Sequence, residues 1–158
     1  MRLAIAVIVL VFSATLAPSV AAAAPIVEPL VDGGSEVVPC SGFDAAFSRM
    51  FTGRITVFVS ETGEPTRIQI VAQMTGTLEN LSTHEVLPLR GAVTVTIDLV
   101  GGTTAFTGNV LIGTRMGDGS VLKDIGRFVV DAADDIVLIA GPHDLISSGP
   151  DALCEAVA

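Results

Sequence analysis

The two cysteines are the residues whose type and position point most directly to chemistry. They are Cys40 and Cys154, near opposite ends of a 158-residue chain. Two thiols allow a single intramolecular pairing, so in an oxidising compartment the sequence predicts one Cys40–Cys154 disulfide. Two free buried thiols are the alternative. The disulfide would make the first and last elements of the folded domain spatial neighbours.

The histidines are the next candidates, and there are two of them, His84 and His143. Asp144 follows His143 directly, which suggests part of a hydrolytic triad. Side chains of adjacent residues point to different sides, however, and the chain has no G-x-S-x-G motif. We therefore assign no catalytic residue, and the sequence favours a protein without enzymatic activity while leaving the question undecided.

Acidic residues cluster at Asp131, Asp134 and Asp135, and Asp118 lies in a second turn. Carboxylate oxygens bind calcium, but neither stretch has the spacing of an EF-hand loop or a nonapeptide repeat. Solvated turns are the better interpretation. Two scattered histidines and two paired cysteines also form no zinc ligand set, so no metal or cofactor is predicted.

The chain lacks tryptophan and tyrosine altogether. These are the rings on which polysaccharide-binding modules stack sugars, so carbohydrate binding is disfavoured. A small apolar ligand remains as a partner, because an eight-stranded barrel can hold one. The tripeptide Asn80 to Ser82 matches a glycosylation sequon, to which we assign no role.

The charge balance is acidic, with 8 Lys and Arg against 17 Asp and Glu. Nucleic-acid binding depends on clustered cations that neutralise phosphates, and no such cluster is present in the sequence. Nucleic acid is therefore excluded as a partner.

Residues 1–23 have the layout of a secretory signal peptide: Met1-Arg2, an apolar run from Leu3 to Leu16, and a small-residue cleavage zone. Cleavage is predicted after Ala23, with Ala21 as an alternative. An uncleaved membrane anchor is the other interpretation. With the signal removed, the sequence predicts a secreted, extracellular protein with no stable membrane insertion.

Residues 24–39 are rich in proline and glycine and predict an extended leader, so the single folded domain is expected to span 40–158. Within it, apolar and polar residues alternate, most cleanly in "AVTVTIDL" at 92–99. Alternation with β-branched residues is typical of half-buried antiparallel strands. Short pieces near 78–89 and 144–148 bring the predicted count to about eight strands. Residues 43–51 fit a helix or a strand equally well.

Regular strands separated by turn signals predict an all-β fold, either an antiparallel β-barrel or a β-sandwich. Gly108 and Gly126 fall inside strands, where glycine allows the sharp bends that close a barrel. We therefore favour the barrel.

The segments "VVPCSGFDAAF", "GTLENLSTHEVLPLRGAVTVTIDLVGGTTAFTGNVLIG", "IGRFVVD" and "DALCEAVA" carry a resemblance to small secreted actinobacterial proteins of unknown function. The resemblance covers most of residues 40–158 and departs at His84, where that family turns on glycine. To a lesser degree the chain is similar to dirigent and allene oxide cyclase-type β-barrels. The first resemblance implies no activity, and the second implies a binding or cyclase role.

The sequence as a whole predicts a secreted, disulfide-closed, non-catalytic β-barrel that acts in binding or in association with the cell envelope. One alternative is an isomerase or cyclase acting on an apolar small molecule, with Asp98 or Arg127 supplying polar groups in a deep cavity. The other is a purely structural surface protein.

Overall fold

The computed structural model describes residues 24–158, and the predicted signal peptide, residues 1–23, lies outside the described residues. The strands are β1 (Ile26–Cys40), β2 (Phe43–Val59), β3 (Pro65–Asn80), β4 (Val86–Asp98), β5 (Thr103–Arg115), β6 (Gly119–Val130) and β7 (Ile136–Ala140). Two short helices follow, α1 (Asp144–Ser148) and α2 (Asp151–Ala156). Among residues 24–158, no helix is long and apolar enough to cross a membrane.

The strands form one antiparallel sheet of seven, in the order β1-β2-β3-β4-β5-β6-β7. This confirms the all-β antiparallel class, with one sheet where a sandwich would have two. Within the described residues β1 and β7 do not pair with each other. The sheet therefore keeps two free edges and is not closed into a barrel.

The structure corrects one segment predicted from the sequence and decides between the alternatives for another. Residues 144–148 form α1, so the predicted strand there is wrong: the Ser147 amide donates to the His143 carbonyl at 2.9 Å, which closes a helical turn. Asp144 lies in the first turn, where a carboxylate is favourable. Residues 43–51, whose sequence fits a helix or a strand equally well, belong to β2 and pair with strands on both sides.

The sheet begins at Ile26, ahead of the predicted domain start at Cys40. The proline- and glycine-rich segment is extended, and it pairs with β2 from Ile26 to Cys40. β1 is an edge strand and forms backbone hydrogen bonds on one side only. It therefore tolerates Pro29 and Pro39, which have no N–H to donate.

Gly108 and Gly126 lie opposite each other on β5 and β6, with φ of 124° and 131°. The β5–β6 register shifts directly after this pair, between Asn109 and Leu111. A Cβ on Gly126 would lie 2.0 Å from the Ala140 carbonyl oxygen. Only glycine at position 126 therefore lets β7 pack this closely beside β6.

The packed core occupies one end of the sheet, where α2 lies over one face. Its buried members come from β1 to β6 and from the C-terminal segment: Val38, Ala45, Phe47, Met74, Leu78, Leu87, Leu89, Leu111, Leu122, Ala152, Leu153, Ala156 and Val157. We call the face of the sheet that carries these side chains the inner face.

The sheet must coil strongly at this core end, because α2 contacts both β1 and β6. These strands are five places apart in the sheet order, which in a flat sheet is about 24 Å at ~4.8 Å per strand. A helix of 6 residues is only about 9 Å long. The sheet therefore wraps part of the way around α2.

Three contacts hold the C-terminal segment inside this curve. The sulfur atoms of Cys40 and Cys154 are at bonding distance, 2.00 Å, as the sequence predicts. The Asn80 side-chain amide donates to the Val157 carbonyl, and the Arg115 guanidinium donates to the Ala156 carbonyl, both at 2.9 Å. We call these three contacts the C-terminal clasp.

Candidate functional site

The inner face continues beyond the core as an apolar surface in the other half of the sheet. Alternation places Ile55, Ile70, Val95, Phe106 and Phe128 side by side across five neighbouring strands. A second row alongside it contains Val57, Ile68, Ile97, Thr104 and Val130. We call the nine apolar members of the two rows the apolar inner face.

These side chains are half-buried, unlike Leu78 and Leu87 at the core end, which are fully buried. In the described part of the chain, α1 and α2 pack against the core end of the sheet, where they contact β1 and β6. The opposite, outer face in the same region is largely polar, with Thr56, Gln69, Thr94, Thr96, Thr107 and Arg127. This part of the inner face is thus apolar, but neither helix packs over it.

An aromatic group forms one margin of this face. The rings of Phe106 and Phe128 stack with centroids 4.4 Å apart, and Phe128 meets the His143 ring edge-on at 5.5 Å. The stacked pair adds two aromatic rings to this margin of the face.

His143 pairs with Asp124 behind the aromatic group. Its Nδ1 lies 2.5 Å from Asp124 Oδ1, its Nε2 lies 3.3 Å from the Ala140 carbonyl oxygen, and both residues are buried. Both ring nitrogens therefore have a partner within the fold. The pair ties the chain after β7 to β6 and acts structurally.

The other residues considered for hydrolysis lie apart from this pair. Asp144 accepts a hydrogen bond from the Lys123 amide at 2.6 Å and does not pair with His143. His84 lies in the exposed β3–β4 turn, with Nδ1 3.1 Å from Glu79 Oε1. In residues 24–158, no serine hydroxyl hydrogen-bonds to either histidine. The structure thus brings no triad together.

His84 also has a φ of 60°, in the left-handed region that glycine adopts most readily.

The acidic residues stabilise turns. Asp131 Oδ1 accepts the amides of Ala133 and Asp135, at 2.9 and 3.1 Å, within the β6–β7 turn. Asp118 Oδ2 lies 3.9 Å from Arg115 Nη1. Across residues 24–158, no three His, Cys, Asp or Glu side chains are grouped so as to hold a metal ion.

Asp98 and Arg127, the polar groups named for an enzyme, lie on the outer face. Asp98 Oδ1 accepts the amides of Val100 and Gly101, at 3.0 and 2.8 Å, and so shapes the β4–β5 turn. Arg127 is exposed. Neither side chain converges on the apolar inner face.

Sequence reasoning missed two buried polar residues. Asp124 alternates in register with Leu122 and Phe128, so its side chain points to the inner face of β6. A carboxylate at such a position indicates a buried partner, because an unpaired buried charge is costly. Asn80 matches a sequon, yet its side-chain amide is buried and hydrogen-bonded to the Val157 carbonyl.

Comparison of the chain with protein-family models, with curated proteins and with solved structures finds no match.

Proposed function

We propose that the protein is an exported, non-catalytic binding protein that holds a small apolar ligand against the apolar inner face. The observation that carries the proposal is the half-buried state of that face. Aliphatic and aromatic side chains from five strands are gathered there and stay in contact with water. A contiguous apolar surface of this kind is typical of a binding site.

The chemistry of the face defines the ligand. Its rows contain no charged side chain between β2 and β6, and Thr104 is their only polar member. A charged ligand would lose its hydration without gaining a partner. An uncharged apolar molecule, able to stack on Phe106 and Phe128, fits the surface best.

We further propose that the coiled sheet acts as the wall of a barrel that is open between β1 and β7. Support comes from the strong curvature at the core end, where one short helix reaches both β1 and β6. The opening would give an apolar ligand a path to the inner face. Export is supported by the signal-like residues 1–23 and by the disulfide.

A neutral fluorescent probe, N-phenyl-1-naphthylamine, tests the proposal in titrations of the intact exported protein. Ile70→Glu places a charge on the apolar inner face, and Gln69→Glu places the same charge on the outer face of the same strand. We expect Ile70→Glu to weaken probe binding by about tenfold or more, because the carboxylate must be desolvated. Gln69→Glu should bind as the wild type does.

Circular dichroism establishes that both variants keep their β structure before the affinities are compared. Equal probe affinity in the two variants, or no binding by the wild type, would overturn the proposal.

A purely structural surface role is the second candidate, and β7 is the observation that favours it. Its residues Ile136, Val137, Leu138 and Ile139 are 43 to 58% exposed along a free sheet edge. Exposed apolar edges can pair with other strands. Multi-angle light scattering tests this role: concentration-dependent assembly that is lost in Leu138→Lys favours it, and a monomer at all concentrations removes it.

A further inference from the structure

A second surface, at the core end of the sheet, has the features of a separate ligand site. It is a groove of about 640 Å³ between the start of β4 and the end of β5, lined by Val86, Pro88, Leu89, Arg90, Thr114, Arg115 and Met116. We call it the β4–β5 groove. Its volume lies within the ~300–1,000 Å³ range of small-molecule sites.

The groove forms where the two strands stop pairing. The β4–β5 ladder ends at Leu89 and Gly113, next to Pro88, which has no N–H to donate. The β5–β6 register shifts between Gly113 and Thr114. These two irregularities separate the strand ends and leave space between them.

The walls are mainly apolar and partly open to water. Leu89 forms a buried floor, whereas Val86 is 52% exposed and Met116 is fully exposed. A ligand that covered Val86 and Met116 would remove apolar surface from water at little cost to the fold, which is the usual driving force for binding an aliphatic chain.

The two arginines of the groove differ in their partners. Arg115 is engaged by the Ala156 carbonyl and by Glu85, whose Oε1 lies 2.9 Å from its Nε without the alignment of a hydrogen bond. Arg90 is exposed and has no ion-pair or hydrogen-bond partner among residues 24–158. A free guanidinium beside an apolar groove is complementary to an anion with an apolar body.

The Thr114 hydroxyl is a second polar group in the groove wall. Its Oγ1 is buried and has no hydrogen-bond partner in the described part of the chain. An unpaired buried hydroxyl destabilises the fold, and a small side-chain movement that let it meet an oxygen would relieve this. Arg90 thus offers an accessible donor, and Thr114 on the opposite strand offers a second one after such a movement.

We propose that the β4–β5 groove binds an aliphatic monocarboxylate. The carboxylate accepts hydrogen bonds from the Arg90 guanidinium, with the Thr114 hydroxyl as a second donor. The hydrocarbon chain lies along Val86, Pro88 and Met116. This site is independent of the apolar inner face, because it is lined by different residues and requires a negative charge.

Octanoate and octanol, which share one chain length and differ in charge, serve as the probes. Binding to the intact protein is followed by chemical shifts of backbone amides. The wild type should bind octanoate more tightly than octanol, with shifts at 86–90 and 114–116. Arg90→Gln should weaken octanoate binding by about tenfold or more, because a charge-assisted hydrogen bond is lost, and should leave octanol binding unchanged.

Arg54→Gln is the matched control, since Arg54 is another exposed arginine without an ion pair among residues 24–158 but lies outside this groove. It should bind octanoate as the wild type does. Thr114→Val should weaken octanoate binding less than Arg90→Gln does. Equal octanoate affinity in the wild type and Arg90→Gln would overturn the proposal.

The two proposals fail separately. Octanoate shifts confined to residues 55–70 and 95–106 would refute the groove as the carboxylate site. If Ile70→Glu no longer binds the neutral naphthylamine probe but still binds octanoate, the result would support both sites.

Discussion

The side-chain amide of Asn80 donates a hydrogen bond to the backbone carbonyl of Val157, 77 positions further along the chain, at 2.9 Å. Both residues are buried. The other half of the same amide, Oδ1, accepts the backbone amides of Ser82 and Thr83 at 2.9 and 3.2 Å. One side chain therefore shapes the β3–β4 turn and holds the C-terminal segment inside the coiled sheet.

Replacing Asn80 should destabilise the fold strongly. Asn80→Ala leaves the buried Val157 carbonyl without its partner, at a cost of about 1–3 kcal/mol, and removes two hydrogen bonds to turn amides, each worth about 1 kcal/mol. We expect a loss of about 3 kcal/mol in the free energy of unfolding, measured by urea denaturation. The exposed Asn109→Ala on β5 is the control and should lose well under 1 kcal/mol. A loss of similar size in both would contradict the role assigned to Asn80.

The disulfide should contribute more to stability than any other single contact. Cys40 and Cys154 are 114 positions apart, and closing a loop of that length restricts the unfolded chain by about 5 kcal/mol in the entropy model. The Cys40→Ser/Cys154→Ser double variant should lose most of this in urea denaturation. If the double variant and the wild type unfold at the same urea concentration, the disulfide does not act as a cross-link of the unfolded chain.

The buried pair of His143 and Asp124 should show strong energetic coupling. His143→Phe leaves the Asp124 carboxylate buried without its partner, at a cost of about 3–5 kcal/mol. The double variant with Asp124→Leu should recover much of the loss, because the unpaired charge is gone. A double-mutant cycle measures the coupling. The exposed His84–Glu79 pair is the control, with an expected coupling below about 1 kcal/mol. Additive losses at His143 and Asp124 would argue against this coupling.

Two apolar residues of β3 should report the difference between the packed and open halves of the sheet. Leu78 is fully buried in the core, and Ile70 points to the same face but is half-buried. Leu78→Ala should cost about 3–4 kcal/mol, because it leaves a cavity. Ile70→Ala should cost about 1 kcal/mol, because its methyl groups already contact water. Equal losses would mean that the apolar inner face is covered in solution.

Gly126→Ala should detach β7 selectively. The added methyl group would meet the Ala140 carbonyl oxygen at 2.0 Å, and the φ of 131° is unfavourable for alanine. Hydrogen exchange should show loss of amide protection in residues 136–140, with β2 and β3 still protected. Gly34→Ala, where an added methyl has open space, is the control and should leave exchange unchanged. Protected amides in β7 of Gly126→Ala would refute this account.

Local pattern was sufficient to predict the strands in the middle of the chain. In β4, Val93, Val95 and Ile97 alternate with threonines, and the structure places the two sets on opposite faces of one antiparallel sheet. This works because a strand exposes every second residue to the same environment. The pairing of Cys40 with Cys154 was also predictable, since the chain contains no other cysteine.

The remaining features depend on partners that are distant in sequence. Asp124 meets His143 across 19 positions, and Asn80 meets Val157 across 77. No local pattern specifies which buried polar group pairs with which. The failure at 144–148 has another cause: a segment of 5 residues is too short for its periodicity to distinguish a helical turn from a strand.

The C-terminal clasp also has a consequence for the order in which the chain can fold during synthesis. Antiparallel neighbours such as β2 and β3 need only a short turn and can pair soon after they leave the ribosome. The residues that cover their inner face, Ala152 to Val157, are made much later, since Cys154 follows Cys40 by 114 positions. The apolar side of the early hairpins therefore stays exposed to solvent until α2 packs against it. During that interval the hairpins can aggregate or bind chaperones.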